Sequence, residues 1–245
     1  MNDDRARTPT PAESPSGEAL DPMYPEPEDC ILLSFSPPIA HAPDFIHLTC
    51  AYPGSCSLPA PARRVFLARK VTRGASGTLW DAGALAVKVR SGTAREGGSL
   101  CAEAAAYATL EEHYVWGSLV APLAPRFFGL YVGAGVEALV LEHFGRQLHM
   151  WSDLEPDEFN DVLDAVLLLH SVGIEHGDVH PRNVLRSLNG GFRLSNFAKS
   201  KSHECPAYTP AGVAVRRCPE LNKLWKALST AFDLKLAMYT QPGVG

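Results

Sequence analysis

Apolar and polar positions fall into short strand-like runs interspersed with stretches of helical period along the chain. Val65-Phe66-Leu67-Ala68-Arg69-Lys70-Val71 carries a strand pattern, and Leu85-Ala86-Val87-Lys88-Val89 alternates with period two. From about Ser99 to His113, Leu100, Ala104, Tyr107 and Leu110 recur at i, i+4, i+7 and i+10, one stripe of a helix. Two apolar strands follow, Phe127 to Val132 and Ala138 to Leu141, joined by Gly133-Ala134-Gly135. Pro156 suits a helix start, and Phe159, Val162, Leu163, Val166, Leu167 and Leu169 mark its buried face to about Val172. Val184-Leu185 and Phe192-Arg193-Leu194 flank Asn189-Gly190-Gly191, a hairpin signal. A closing helix buries Leu221, Leu224, Trp225, Leu228 and Phe232.

The flanks read differently. Residues 1–29 are rich in Pro, Glu, Ser and Asp, and so bury too little apolar surface to offset their ordering entropy. They are expected to be disordered. Residues 30–62 hold short strand patterns, Ile31-Leu32-Leu33 and Phe45-Ile46-His47-Leu48-Thr49, broken by prolines at 37, 38, 43, 53, 59 and 61. Proline removes a ladder donor, so edge strands or an irregular extension are expected there. The remaining division is a first unit at 63–144, a second at 145–238 and a tail at 239–245.

A net charge of −5 offers no basic footprint for nucleic acid or an anionic membrane, and no apolar run reaches transmembrane length. The start Met1-Asn2-Asp3-Asp4 is acidic, unlike a secretory signal. The six cysteines lack zinc spacing and read as reduced thiols of an intracellular, cytoplasmic or nuclear protein. His41, His47, Cys50 and Cys56 lie near one another in sequence without C-x-x-C or H-x-x-x-H spacing, so a metal site there is the lesser reading.

The chemistry concentrates in His176-Gly177-Asp178-Val179-His180-Pro181-Arg182-Asn183. Phosphoryl transfer from ATP needs a carboxylate to orient and deprotonate the attacking hydroxyl, and an oxygen ligand for Mg²⁺. The spacing Asp-x-x-x-x-Asn supplies both from one turn. A polar surface turn, capped by Asp178 and bent by Pro181, is the plainer alternative. Gly74 and Gly77, between strand patterns, could let backbone amides approach a phosphate, or could simply close a hairpin. Lys88 would ordinarily face solvent, yet it shares a strand face with the small Ala86, which suits a nucleotide cleft. Glu103 lies beside the helix stripe, either solvated or reaching Lys88.

In this order the pieces resemble the protein kinase fold from Arg64 to about Phe232, and in particular the protein-kinase-like proteins of basidiomycete fungi. The likeness rests on the H-G-D-x-x-x-x-N loop, on Leu169-His170-Ser171-Val172-Gly173-Ile174 before it, and on Cys218-Pro219-Glu220-Leu221 after it. The resemblance implies an α+β, bilobal fold with a small antiparallel sheet in the first lobe and an abbreviated helical second lobe. It implies ATP and Mg²⁺ as cofactors. Gly74 and Gly77 would match glycines of the phosphate-covering loop, and Lys88 the lysine on the α- and β-phosphates, with Glu103 its ion-pair partner. The connector Glu142 to Phe144 would match the hinge whose backbone holds adenine. Asp178 would be the catalytic base, and Asn183 a metal ligand.

Three departures qualify it. The metal-binding D-F-G triplet reads Asn196-Phe197-Ala198, so Asn196 offers the ion a neutral oxygen, and weakened metal binding is expected. Gly177 stands where many protein kinases carry arginine, so switching by loop phosphorylation is not expected. Only about sixty residues follow Asn183, and truncation and natural abbreviation both remain open. The leading expectation is a phosphotransferase acting on Ser/Thr hydroxyls of a protein substrate. The alternative is a pseudokinase, an interaction module binding nucleotide or a partner through the same cleft. A third reading, from His180 in H-G-D-x-H-P-x-N, is a fragment resembling small-molecule phosphotransferases. Neither the substrate nor the oligomeric state is legible.

Overall fold

The computed structural model describes residues 30–35, 46–54, 64–67, 69–74, 77–91, 100–115, 122–188, 190–209 and 212–240. The stretch 1–29 expected to be disordered, the end at 241–245, His41, Cys56 and Asn189 lie outside these residues. The fold is mixed helix and sheet. Strands β1 (Cys30–Phe35), β2 (Ile46–Pro53), β3 (Arg64–Leu67), β4 (Arg69–Gly74), β5 (Gly77–Ala82) and β6 (Leu85–Ser91) precede helix α1 (Cys101–Val115). Strands β7 (Phe127–Gly133), β8 (Val136–Glu142) and β9 (Arg146–Gln147) lead to helix α2 (Glu158–Ser171). Then come β10 (Ile174–Glu175), β11 (Val184–Arg186), β12 (Phe192–Leu194), β13 (Lys201–Ser202), β14 (Tyr208–Thr209), β15 (Gly212–Val213) and helix α3 (Pro219–Thr240).

Eight strands form one sheet in the order β3-β1-β2-β7-β8-β6-β5-β4, antiparallel except where β1 meets β3. The two end strands, β3 and β4, are separated in the chain by residue 68 alone. Residues two apart lie within about 7 Å, so the sheet rolls until its edges are carried by adjoining stretches of chain. Leu33, Leu48, Leu67, Val87 and Val140 fill the inside of that roll. Within the strand pattern expected over Val65–Val71, the described residues on either side of 68 pair with different partners, β1 and β5.

The proline-interrupted region also differs from expectation. Strand β2 pairs with β1 on one side and β7 on the other, so it is an interior strand, and residues 30–53 build the main sheet. The sequence explains how. Of the nearby prolines only Pro53 falls inside β2, at its last position, beyond the register shift between Cys50 and Tyr52.

The outer face of β6, β7 and β8 packs on α1, whose predicted stripe of Leu100, Ala104, Tyr107 and Leu110 is fully buried. The same core runs on through Phe159, Val162, Val166 and Leu169 of α2 into Leu221, Leu224 and Leu228 of α3. Burying side chains of this size stabilises by about 1.5–3 kcal/mol each. That continuous core fixes the sheet against the loops that carry the polar residues. Among the described residues no helix is long and apolar enough to cross a membrane.

Candidate functional site

Strand alternation places Leu85, Val87 and Val89 inside the roll and turns Lys88 to the opposite face, toward α1. There the Lys88 ammonium meets Glu103 at 2.6 Å, and Glu103 is only 2 % exposed. Burial raises the pKa of the Glu103 carboxyl, while the Lys88 charge and hydrogen bond and the Phe197 backbone amide oppose that rise. A buried pair of this kind is locked, because losing either partner strands a charge out of water.

The other half of the site is built by the loop after β10. His176 is fully buried and donates from Nε2 to the Ser195 carbonyl at 3.1 Å, while its Nδ1 accepts from the Asp178 backbone N–H at 3.3 Å. Burial holds its pKa below the ordinary histidine value against the pull of Glu220, and a neutral ring suits one donating and one accepting nitrogen. One 3₁₀ turn, Pro181–Asn183, then brings Asn183 back under Asp178. The Asn183 amide nitrogen donates to the Asp178 backbone carbonyl at 2.7 Å and to its carboxylate at 3.2 Å.

The hairpin β11–β12 returns the chain to Asn196, which sits at φ 67°. Asparagine tolerates that left-handed conformation better than most residues. Its backbone N–H donates to the Tyr107 hydroxyl at 3.2 Å. Burial pushes the Tyr107 phenol well above its ordinary range, so it stays protonated. Phe197, also fully buried, lies edge-on to Tyr107 at 5.0 Å and against His176 at 4.8 Å. This aromatic stack joins α1 to the loop that carries His176 and Asp178.

The result is one polar relay. Lys88 donates to Asn196 Oδ1 at 3.0 Å, Asn196 Nδ2 donates to Asn183 Oδ1 at 3.2 Å, and Asn183 Nδ2 donates to Asp178. Its direction is set by its ends, since an ammonium can only donate and a carboxylate can only accept. Five residues singled out in the sequence, Lys88, Glu103, Asp178, Asn183 and Asn196, therefore converge on one place.

Asp178 is partly open, with Arg182 at 3.2 Å and Lys199 at 3.5 Å. Burial acts to raise its pKa, but the Arg182 hydrogen bond, Lys199 and Asn183 outweigh it and hold the carboxyl below its ordinary range. Gly74 and Gly77 are Cα partners at the end of the β4–β5 hairpin, on the strand next to β6. Of the connector amides, that of Glu142 donates to the Arg126 carbonyl and that of His143 to the Ala84 carbonyl, both at 2.9 Å. The Glu142 side chain pairs with Arg193, whose guanidinium also lies 3.9 Å from the Phe144 ring centre.

Lys199 and Glu220 were not singled out for roles by their patterns. Lys199 follows Asn196 by three residues, which is the only sequence signal for it. Glu220 accepts from the backbone N–H groups of His176 at 3.0 Å and Gly177 at 2.7 Å, and from His170 Nε2 at 2.7 Å. It thereby clamps the loop that carries Asp178. Gly177 has φ 77°, and a Cβ there would lie 2.3 Å from the Lys199 carbonyl oxygen. Arginine is thus excluded at this position by the backbone itself. No protein-family model and no curated protein matches the chain.

Proposed function

We propose that the chain is a protein-kinase-like, ATP-dependent phosphotransferase with a hydroxyl acceptor on a protein. In this reading the rolled sheet with α1 is the nucleotide-holding lobe, and α2, α3 and their loops are a shortened helical lobe. The observation that carries it is the unbroken relay from Glu103 through Lys88, Asn196 and Asn183 to Asp178. A buried lysine held by a glutamate suits the α- and β-phosphates, and a partly open aspartate nearby suits the acceptor end.

Lys88 would bind the phosphates, and Glu103 would keep its ammonium in place. Gly74 and Gly77 would let the hairpin close over the triphosphate, and the Phe144 N–H would hold adenine. Asp178 would orient the hydroxyl and take its proton as oxygen bonds the γ-phosphorus and ADP leaves. Arg182 and Lys199 would offset charge at the transferring phosphoryl. Mg²⁺ would be held by Asn183 and Asn196 and would neutralise phosphate charge. These are two neutral amide oxygens, a weak donor set for a hard cation that prefers carboxylates.

That donor set favours a second reading, a nucleotide-binding pseudokinase. The Asn196 side-chain Nδ2 already donates to Asn183 Oδ1, so the relay is satisfied without a cation between them. Thermal-shift titration with ATP, with and without Mg²⁺, followed by γ-phosphate transfer assays, separates the two. Saturating nucleotide at a hundredfold excess over Kd stabilises by about 2.7 kcal/mol, a shift of several degrees. Transfer that vanishes in Asp178→Ala supports the enzyme. Binding without transfer leaves the pseudokinase, and no nucleotide-dependent shift removes both.

A further inference from the structure

Away from the relay, four side chains from separate parts of the chain bring nitrogen and sulfur atoms together. His170 comes from the last turn of α2, His203 and Cys205 from the segment after β13, and Cys218 from the residue before α3. One ligand atom from each lies within 4.8 Å of all the others. His170 Nδ1 is 3.3 Å from the Cys205 sulfur and 3.6 Å from that of Cys218, which is in turn 3.6 Å from His203 Nε2. We propose that His170, His203, Cys205 and Cys218 form a structural zinc site.

Three observations carry this beyond the presence of the residues. The first is size. With Zn–S about 2.3 Å and Zn–N about 2.0–2.1 Å at tetrahedral angles, nitrogen and sulfur ligands lie about 3.6 Å apart. Two of the observed nitrogen–sulfur separations, at 3.6 Å, match that value and a third, at 3.3 Å, is slightly shorter. The second is the orientation of the rings. His170 turns Nδ1 to the sulfurs and Nε2 to the Glu220 carboxylate at 2.7 Å. His203 turns Nε2 to the sulfur and Nδ1 to the Glu175 carboxylate at 3.3 Å. The Glu220 carboxylate takes the His170 Nε2 N–H and turns the Nδ1 lone pair to the centre, while for His203 the Glu175 carboxylate lies on the Nδ1 side and Nε2 faces the sulfur. Metal-bound histidines are held in this way.

The third is the donor set. Two imidazole nitrogens and two sulfurs, the usual donors to zinc, face one another. A central cation satisfies all four at once and releases the thiol protons to solvent. A two-nitrogen, two-sulfur tetrahedral set selects zinc among the common ions. All four positions are supplied by protein, which makes the site structural, with no place left for a reacting water.

The site would hold a segment with little regular structure among its described residues. Between Ser202 and Cys218 these residues form the two-residue strands β14 and β15 and one 3₁₀ turn. The metal would pin both ends of it to α2. Through His170 and Glu220 it would also bear on the His176 and Gly177 amides, hence on the seating of Asp178. None of this depends on nucleotide.

The test is elemental analysis of the full chain, made without a polyhistidine tag and purified under reducing conditions without chelator. About one zinc per chain is expected, falling to trace in Cys205→Ser and in Cys218→Ser. Exchange into Co²⁺ should give the intense visible bands of a tetrahedral cobalt thiolate, and those bands should be lost in Cys205→Ser. Folded wild-type chain that holds no zinc and develops no such bands overturns the proposal. So does zinc retained at full stoichiometry in Cys205→Ser and His170→Ala together, or a Cys205–Cys218 disulfide found by mass spectrometry. Because the readout is metal content and spectrum, phosphotransfer can fail while the zinc site stands, and the reverse.

Discussion

The Asn196 amide nitrogen donates to the Asn183 amide oxygen at 3.2 Å, occupying the oxygen on which a phosphate-bound magnesium would draw. An aspartate at 196 would set an acceptor against that acceptor. Only a cation between them, or a turned Asn183 amide, relieves such a contact, and turning Asn183 would face its oxygen to the Asp178 carbonyl. Asn196→Asp is therefore expected to couple nucleotide binding to Mg²⁺ far more tightly than the native residue does. Phosphate transfer should rise by orders of magnitude if the lost carboxylate limits catalysis. Equal ATP affinity with and without Mg²⁺ in this variant would contradict the proposed metal position.

Lys88 and Glu103 allow a cleaner separation of folding from binding. Lys88→Met leaves a buried carboxylate unpaired, which costs about 3–5 kcal/mol. Adding Glu103→Gln to Lys88→Met should recover much of that loss, because no charge is then left behind. Neither variant should show an ATP-dependent thermal shift. Denaturant unfolding of the single and double variants measures the first expectation, and nucleotide titration the second. Restored ATP binding in the double variant would mean that Lys88 does not touch the triphosphate.

Gly177 tests the loop by backbone geometry alone. Its φ of 77° and the 2.3 Å approach to the Lys199 carbonyl forbid a Cβ without movement of the chain. Gly177→Ala should lose more than the ~1 kcal/mol of a simple left-handed strain. It should also displace Lys199 from Asp178, so any transfer activity should fall further than stability does. A variant as stable as the native chain would show that this loop differs in solution.

Much of the architecture was legible because it rests on local period. The α1 stripe and the β6 alternation each follow from side-chain direction, and together they bring Lys88 to Glu103. What escaped was set by distant pairing. The interior place of β2 depends on β7, about eighty residues later, and proline spacing carries no trace of that. The change of partner from β3 to β4 arises because one continuous pattern serves two sheet edges. The His170, His203, Cys205 and Cys218 cluster likewise draws on separate elements, with only His203-x-Cys205 local, so a search for short ligand spacings passes over it. Asn196 drew notice as the residue standing where the resemblance expects an aspartate, but its donation to Asn183 needed coordinates.

Glu220 links these parts, and its protonation gives a stability signature. Burial acts to raise its pKa, but the His170 hydrogen bond and the His176 and Gly177 amides outweigh burial and hold it below the ordinary glutamate value. A carboxyl lowered by folding is bound more strongly as the anion. Its contribution is therefore complete above the unfolded glutamate pKa of about 4.3 and is lost as pH falls through the lower folded value. Glu220→Gln keeps the size and one acceptor oxygen but replaces the other with a donor facing backbone N–H groups or the ring. A loss of about 1–3 kcal/mol at neutral pH is expected, with a shallower decline of stability toward acid than in the native chain. Urea unfolding of both proteins from neutral pH down to about 4, the range set by the carboxyl values, measures this. Parallel declines would show that the Glu220 charge does not hold the loop, and the clamp on Asp178 would have to be sought elsewhere.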